Sequence, residues 1–131
     1  MRLLRALDPW LWPLLVMALI FALSATPNLS TGLGLIDLIG RKIAHATIFA
    51  ALCWSSARAL LTRASPGSAA GAAFAFSLLS AVSDEFHQSF VAGRHAAPLD
   101  VAIDGLGAAA AGLVWHRRAA DRGRAGVGSA P

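Results

Sequence analysis

Four runs of apolar residues, at 10–25, 43–61, 67–83 and 99–115, take up more than half of this 131-residue chain. Crossing about 30 Å of hydrocarbon takes roughly 20 apolar residues in a helix, and each run approaches that length, the first and third being short. Four segments cannot close a barrel, and lipid leaves no backbone polar group unpunished, so helices are the form such runs can take in a membrane. Only 14% of the residues are charged, against a usual share of roughly a quarter. That is too few to clothe a soluble globule. The expected fold is all-α: an integral membrane bundle of four transmembrane helices, both termini cytoplasmic.

The length allows one domain. The expected division is a cytoplasmic N-terminal segment at 1–9, the four-helix membrane domain at 10–116, and a disordered, basic, cytoplasmic tail at 117–131. Orientation follows from Lys and Arg in the short flanks. Arg2, Arg5, Arg58, Arg63, Arg117, Arg118, Arg122 and Arg124 would share one side, leaving Arg41, Lys42 and Arg94 for the other. The first side is therefore read as cytoplasmic, and the chain as a multi-pass membrane protein. Trp10, Trp12 and Trp115 stand near the ends of runs, where interfacial anchors sit. A signal-peptide reading competes for the first run, with Arg2 and Arg5 as its basic start. An uncleaved helix is the preferred reading, because the rest of the chain is equally apolar.

The net charge of +4 comes mainly from arginines at the two ends. A nucleic-acid binder would instead spread its basic residues over a face with interleaved aromatics, so no nucleic-acid partner is expected. The single cysteine, Cys53, excludes an internal disulfide. Inside an apolar run it reads as a buried, inert thiol.

Against this background the acids stand out. Four of the seven, Asp84, Glu85, Asp100 and Asp104, lie between the third run and the first turns of the fourth. Ionisable groups near hydrocarbon cost about 2.5–3.5 kcal/mol each on insertion scales, so such a cluster marks a functional site by default. With the N-terminus inside, the second run begins, the third ends and the fourth begins at the outer face. Lys42, His45, Asp84, Glu85, His87, Gln88, Arg94, Asp100 and Asp104 would then meet at one depth. Helical spacing puts Asp84, His87 and Gln88 on one patch, and Asp100 and Asp104 on one face.

Three chemistries fit these residue types. Arg94, Lys42 and Arg41 could grip a phosphate or carboxylate, with the acids positioning them. Asp84, His87, Asp100 and Asp104 could hold a divalent cation, the only cofactor these residues bring to mind. Acid and histidine together could do acid–base work on a lipid-linked substrate. The plainest alternative has the acids and bases neutralising one another and fixing helix register. His95 and His116 are expected to be solvated. Small residues at four-residue spacing, Gly71 with Ala75, Gly107 with Ala111 and Ala108 with Gly112, suit close helix contact.

The pattern His45 … Asp84-Glu85-x-His87-Gln88-x-Phe90 … Arg94 … Asp100-x-x-x-Asp104-x-x-Gly107 resembles the VanZ-like family of bacterial membrane proteins. The run Phe21-Ala22-Leu23-Ser24-Ala25-Thr26-Pro27 is similar to the close of that family's first helix, and Lys42-Ile43-Ala44-His45 to the start of its second. Arg41 stands where the family often has an acid, and Ala92 where it commonly has proline. The resemblance implies a cell-envelope setting and, in some relatives, a link to resistance against teicoplanin-type lipoglycopeptides. It implies no particular reaction, so whether the chain is an enzyme stays open. The leading expectation is a site that binds a membrane lipid, with a cell-wall precursor or a lipoglycopeptide as further candidate partners. The alternatives are a metal-dependent membrane enzyme acting on a phospholipid-like or polyprenyl-phosphate substrate, and a structural subunit of an envelope complex.

Overall fold

A computed structural model describes residues 2–27 and 31–127. The side chains of residues 2–8, 126 and 127, those of Arg2 and Arg5 among them, and the last four residues of the expected tail lie outside the described residues. Four helices and no strands make up the described chain: α1 (Arg2–Ser24), α2 (Leu35–Leu60), α3 (Pro66–Gln88) and α4 (Pro98–Val127). The described chain is all-α with four helices, as the four apolar runs predict. Two stretches, Pro66–Gln88 and Pro98–Ala125, are long and apolar enough to cross a membrane, and Pro9–Ser24 is apolar but shorter.

Each helix starts and stops for a local reason. α3 begins at Pro66, whose missing N–H falls where none is needed, after Ser65 caps the Ser68 amide. Before α2, the carboxylate of Asp37 collects the Thr31 and Leu33 amides and the Thr31 hydroxyl, placing negative charge at the positive end of the helix. α2 starts eight residues before the apolar run does. α4 likewise outlasts its apolar run and stays helical as far as Val127, so the expected disorder from residue 117 is corrected up to that point. Ala and Arg are among the best helix formers and dominate this stretch, and Arg122 Nε also donates to the Arg118 carbonyl one turn back.

Packing is arranged inside out relative to a soluble protein. The buried hydrophobic residues are mostly alanines, while large apolar side chains such as Leu106 (71% exposed) and Phe86 (68%) face outward. Ser24, Ser56, Ser77, Asp84, Glu85, Gln88 and Asp104 are buried instead. Small residues at helix contacts and a large apolar exterior are what hydrocarbon surroundings select. α4 makes its widest interface with α2 and its next widest with α3, while α1 leans on α2 and touches α3 only lightly. At Gly107 the α4 backbone comes so close to α2 that an added Cβ would fall 2.2 Å from the Ala46 carbonyl oxygen. The small-residue pairing is thus real at this position, but its partner lies on another helix. Trp115 is no interfacial anchor: it is 3% exposed and packs with Cys53, Ala57, Ala69 and Ala73. A core lined by alanines leaves room that one indole fills.

Candidate functional site

The start of α2, the end of α3 and the start of α4 come together at one end of the bundle. Lys42 pairs with Asp100. One turn deeper His45 Nδ1 lies 3.5 Å from Asp104 Oδ2. The two α2–α4 pairs share a register, because residues 42 and 45 on one helix face residues 100 and 104 on the other. From α3, Glu85 Oε1 accepts the Ala97 amide at 2.5 Å and so ties down the connection into α4. That connection turns at Gly93, whose φ of 79° lies in the left-handed region that favours glycine.

Between these elements lies a cavity of about 190 Å³. Its walls carry Arg41, Lys42, His45, Glu85, Gln88, Arg94, Asp100 and Asp104, with Leu38 and Ile103 as apolar patches and Gly93 and His95 at the loop. Asp104 is only 2% exposed, and its Oδ1 has no hydrogen-bond partner. A buried carboxylate oxygen without a partner is costly, since removal from water is not repaid.

Arg94 is placed differently from the expectation. Its Nη2 donates to the carbonyls of Leu23 (2.9 Å) and Thr26 (3.3 Å) at the end of α1. A cation there meets the negative end of the helix dipole. Its Nε stays buried without a partner. Burial pushes this guanidinium below its ordinary range; Arg41 nearby adds to the effect, and Asp84 and Glu85 oppose it.

The patch expected from α3 faces α1. Gln88 Nε2 donates to Asp84 Oδ2 (2.8 Å) and to Ser24 Oγ (3.2 Å), a buried bridge between α3 and α1. His87 also meets α1, its ring stacked on Phe21 with centroids 5.0 Å apart. Asp84 and His87 line a separate groove between α1 and α3, among Met17, Ile20, Phe76 and Leu79. The four side chains considered for a divalent cation therefore face two different cavities. Among the described residues, no group of three or more His, Cys, Asp or Glu is arranged to hold a metal ion. Ser24 is the partner that sequence reasoning did not assign. A hydroxyl at the close of an apolar helix was the available signal, because such a group, once buried, needs a donor or acceptor.

One further expectation changes. His116 is half-buried, and its Nδ1 has no partner, whereas His95 is exposed at the rim of the cleft. Trp54 packs half-buried against the core, with the Arg118 guanidinium 5.6 Å from its ring centroid. Cys53 is buried, as its neighbours in sequence imply.

A family model described as VanZ/LLP1 matches residues 9–118, a range that contains every residue of the cleft. No curated protein and no solved structure gives a match.

Proposed function

We propose, starting from the fact that this chain belongs to the VanZ/LLP1 family, that it is a multi-pass protein of a bacterial inner membrane. In this reading all four helices span the bilayer, residues 10–116 form the membrane domain, and both termini are cytoplasmic. The charged cleft then opens on the outer face and binds the polar head of an envelope lipid or lipid-linked cell-wall precursor. Through that binding, some members of the family would lower sensitivity to teicoplanin-type antibiotics.

One observation carries this reading. In a chain this poor in charge, three cations and three carboxylates line one cavity built from three helices and a loop. Leu38 and Ile103 in the same wall supply apolar contact beside the charges, as a lipid head with its first methylenes requires. At about 190 Å³ the cavity falls below the roughly 300–1,000 Å³ typical of sites for drug-sized ligands. It suits a head group and is too small to enclose a whole lipoglycopeptide.

The pairing of Lys42 with Asp100 and of His45 with Asp104 supports a second reading, in which the charges serve only to fix helix register within an envelope complex. Lipid identification separates the two. The full chain is extracted in native-membrane particles, and its co-purifying lipids are measured by mass spectrometry against bulk membrane. Enrichment of a phosphate-bearing lipid, lost in Arg94→Ala, is the expected result. A lipid profile equal to bulk in both proteins would leave the register reading standing.

A further inference from the structure

The cleft holds two kinds of unmet demand. Arg41, Lys42 and Arg94 bring three cations to it, and Arg94 Nε is a buried donor with no acceptor. Of the three donors on the Lys42 ammonium, one is drawn to Asp100. Arg94 Nε and the remaining Lys42 donors ask for an anion with several acceptor oxygens. Asp104 asks for the opposite. It lines the same cavity at 2% exposure, its Oδ2 faces His45, and its Oδ1 has no partner. An ionised carboxylate can only accept, so this oxygen needs a donor that the protein does not provide.

A head group that is purely anionic would satisfy the cations and bring like charge towards a buried carboxylate. A simple cation would satisfy Asp104 and meet three positive side chains. Neither suits the cleft, but a ligand carrying both charges does. We propose that the cleft takes a zwitterionic head in which a phosphate is joined to a primary ammonium. The phosphate lies among Arg41, Lys42 and Arg94, and the ammonium donates to Asp104 Oδ1. This rests on the head-group reading above and names its ligand class. A quaternary ammonium carries the charge but no N–H, so the hydrogen bond to Oδ1 separates the two kinds of head.

The test uses the full chain purified in one detergent and three short-chain probes: dihexanoyl phosphatidylethanolamine, phosphatidylglycerol and phosphatidylcholine. Affinities are read by native mass spectrometry and checked by microscale thermophoresis. The ethanolamine lipid is expected to bind more tightly than the other two by on the order of 10- to 100-fold, the worth of a hydrogen bond to a charged group. Asp104→Asn, which keeps the shape and removes the charge, should bring the ethanolamine lipid down to the level of the glycerol lipid. Asp104→Leu removes the acceptor as well and should do the same. Arg94→Gln should weaken all three probes.

Equal or tighter binding of the glycerol or choline lipid by the unaltered chain overturns the inference, and needs no folded variant to be read. A preference for ethanolamine that survives both Asp104 substitutions overturns it too. In either case, probes that bind and lose affinity in Arg94→Gln leave the head-group site in place. Failure of all three probes to bind removes the site and the inference together. Free O-phosphoethanolamine separates the sources. Competition equal to the lipid supports the zwitterion as a soluble ligand, and absence of competition alongside tight lipid binding supports it as a lipid head.

Discussion

Gly107→Ala puts the tightest contact of the bundle to the test. A Cβ at this position falls 2.2 Å from the Ala46 carbonyl oxygen, 2.8 Å from its carbon and 3.0 Å from its Cα. All three are backbone atoms, so no side-chain rotation gives relief. α2 and α4 must part by about 1 Å to regain ordinary contact near 3.5 Å. Overpacking of a fitted interface costs about 1–3 kcal/mol, while alanine in place of glycine gains roughly 1 kcal/mol in helix propensity. The clash falls in the widest interface of the molecule, so it outweighs the gain, and a net loss of up to about 2 kcal/mol is expected. Two other glycines calibrate the scale. A Cβ at Gly71 meets nothing within 4 Å, so Gly71→Ala should show the propensity gain alone. One at Gly112 meets the Cys53 sulfur at 3.2 Å, a side chain with some room to give. Thermal unfolding of the purified variants in one detergent, followed by helical circular dichroism, should rank Gly71→Ala at or above the unaltered chain, then Gly112→Ala, then Gly107→Ala. A Gly107→Ala protein that melts with Gly71→Ala would refute the close approach of the two helices.

Three further outcomes are expected. Glu85→Gln weakens the acceptor for the Ala97 amide, and hydrogen exchange at Ala97 should speed up by on the order of tenfold, the worth of about 1.4 kcal/mol, with exchange in mid-α3 unchanged. Lys42 and Asp100 are each about 30% exposed, so a double-mutant cycle on Lys42→Ala and Asp100→Ala in detergent should return a coupling of no more than about 1 kcal/mol, falling as salt is added. In a Cys53→Ser background, Ala96→Cys should react with a membrane-impermeant thiol reagent from outside intact cells. Labelling only after the cytoplasm is opened would reverse the proposed orientation.

The sequence carried the helices and the end of the bundle where polar groups gather, because both follow from spacing. Apolar runs measured against bilayer thickness mark the helices, and i, i+3 and i, i+4 offsets bring Lys42 and His45 to face Asp100 and Asp104. What spacing cannot carry is which way a side chain leaves its helix when two neighbours compete for it. Asp84, His87 and Gln88 do share a side, but spacing gave no sign that α1 would take them, with Phe21 against His87 and Ser24 bonded to Gln88. Arg94 lines the cleft, but spacing gave no sign that two carbonyls at the end of α1 would also take its Nη2. Trp115 looked like an anchor because position along a run says nothing of the hollow that alanines leave at the centre. The tail was read as disordered from its Gly and Arg content, whereas the Ala and Arg before Gly126 are enough to prolong α4.

Mechanically, the contact of Gly107 with Ala46 is a fulcrum. It lies beside His45 and one turn from Asp104, with Lys42 and Asp100 one further turn out along the same two rods. A rocking of α4 on α2 about this point barely changes the distance between the backbones where they touch, and it widens or narrows the cleft in proportion to the lever arm beyond.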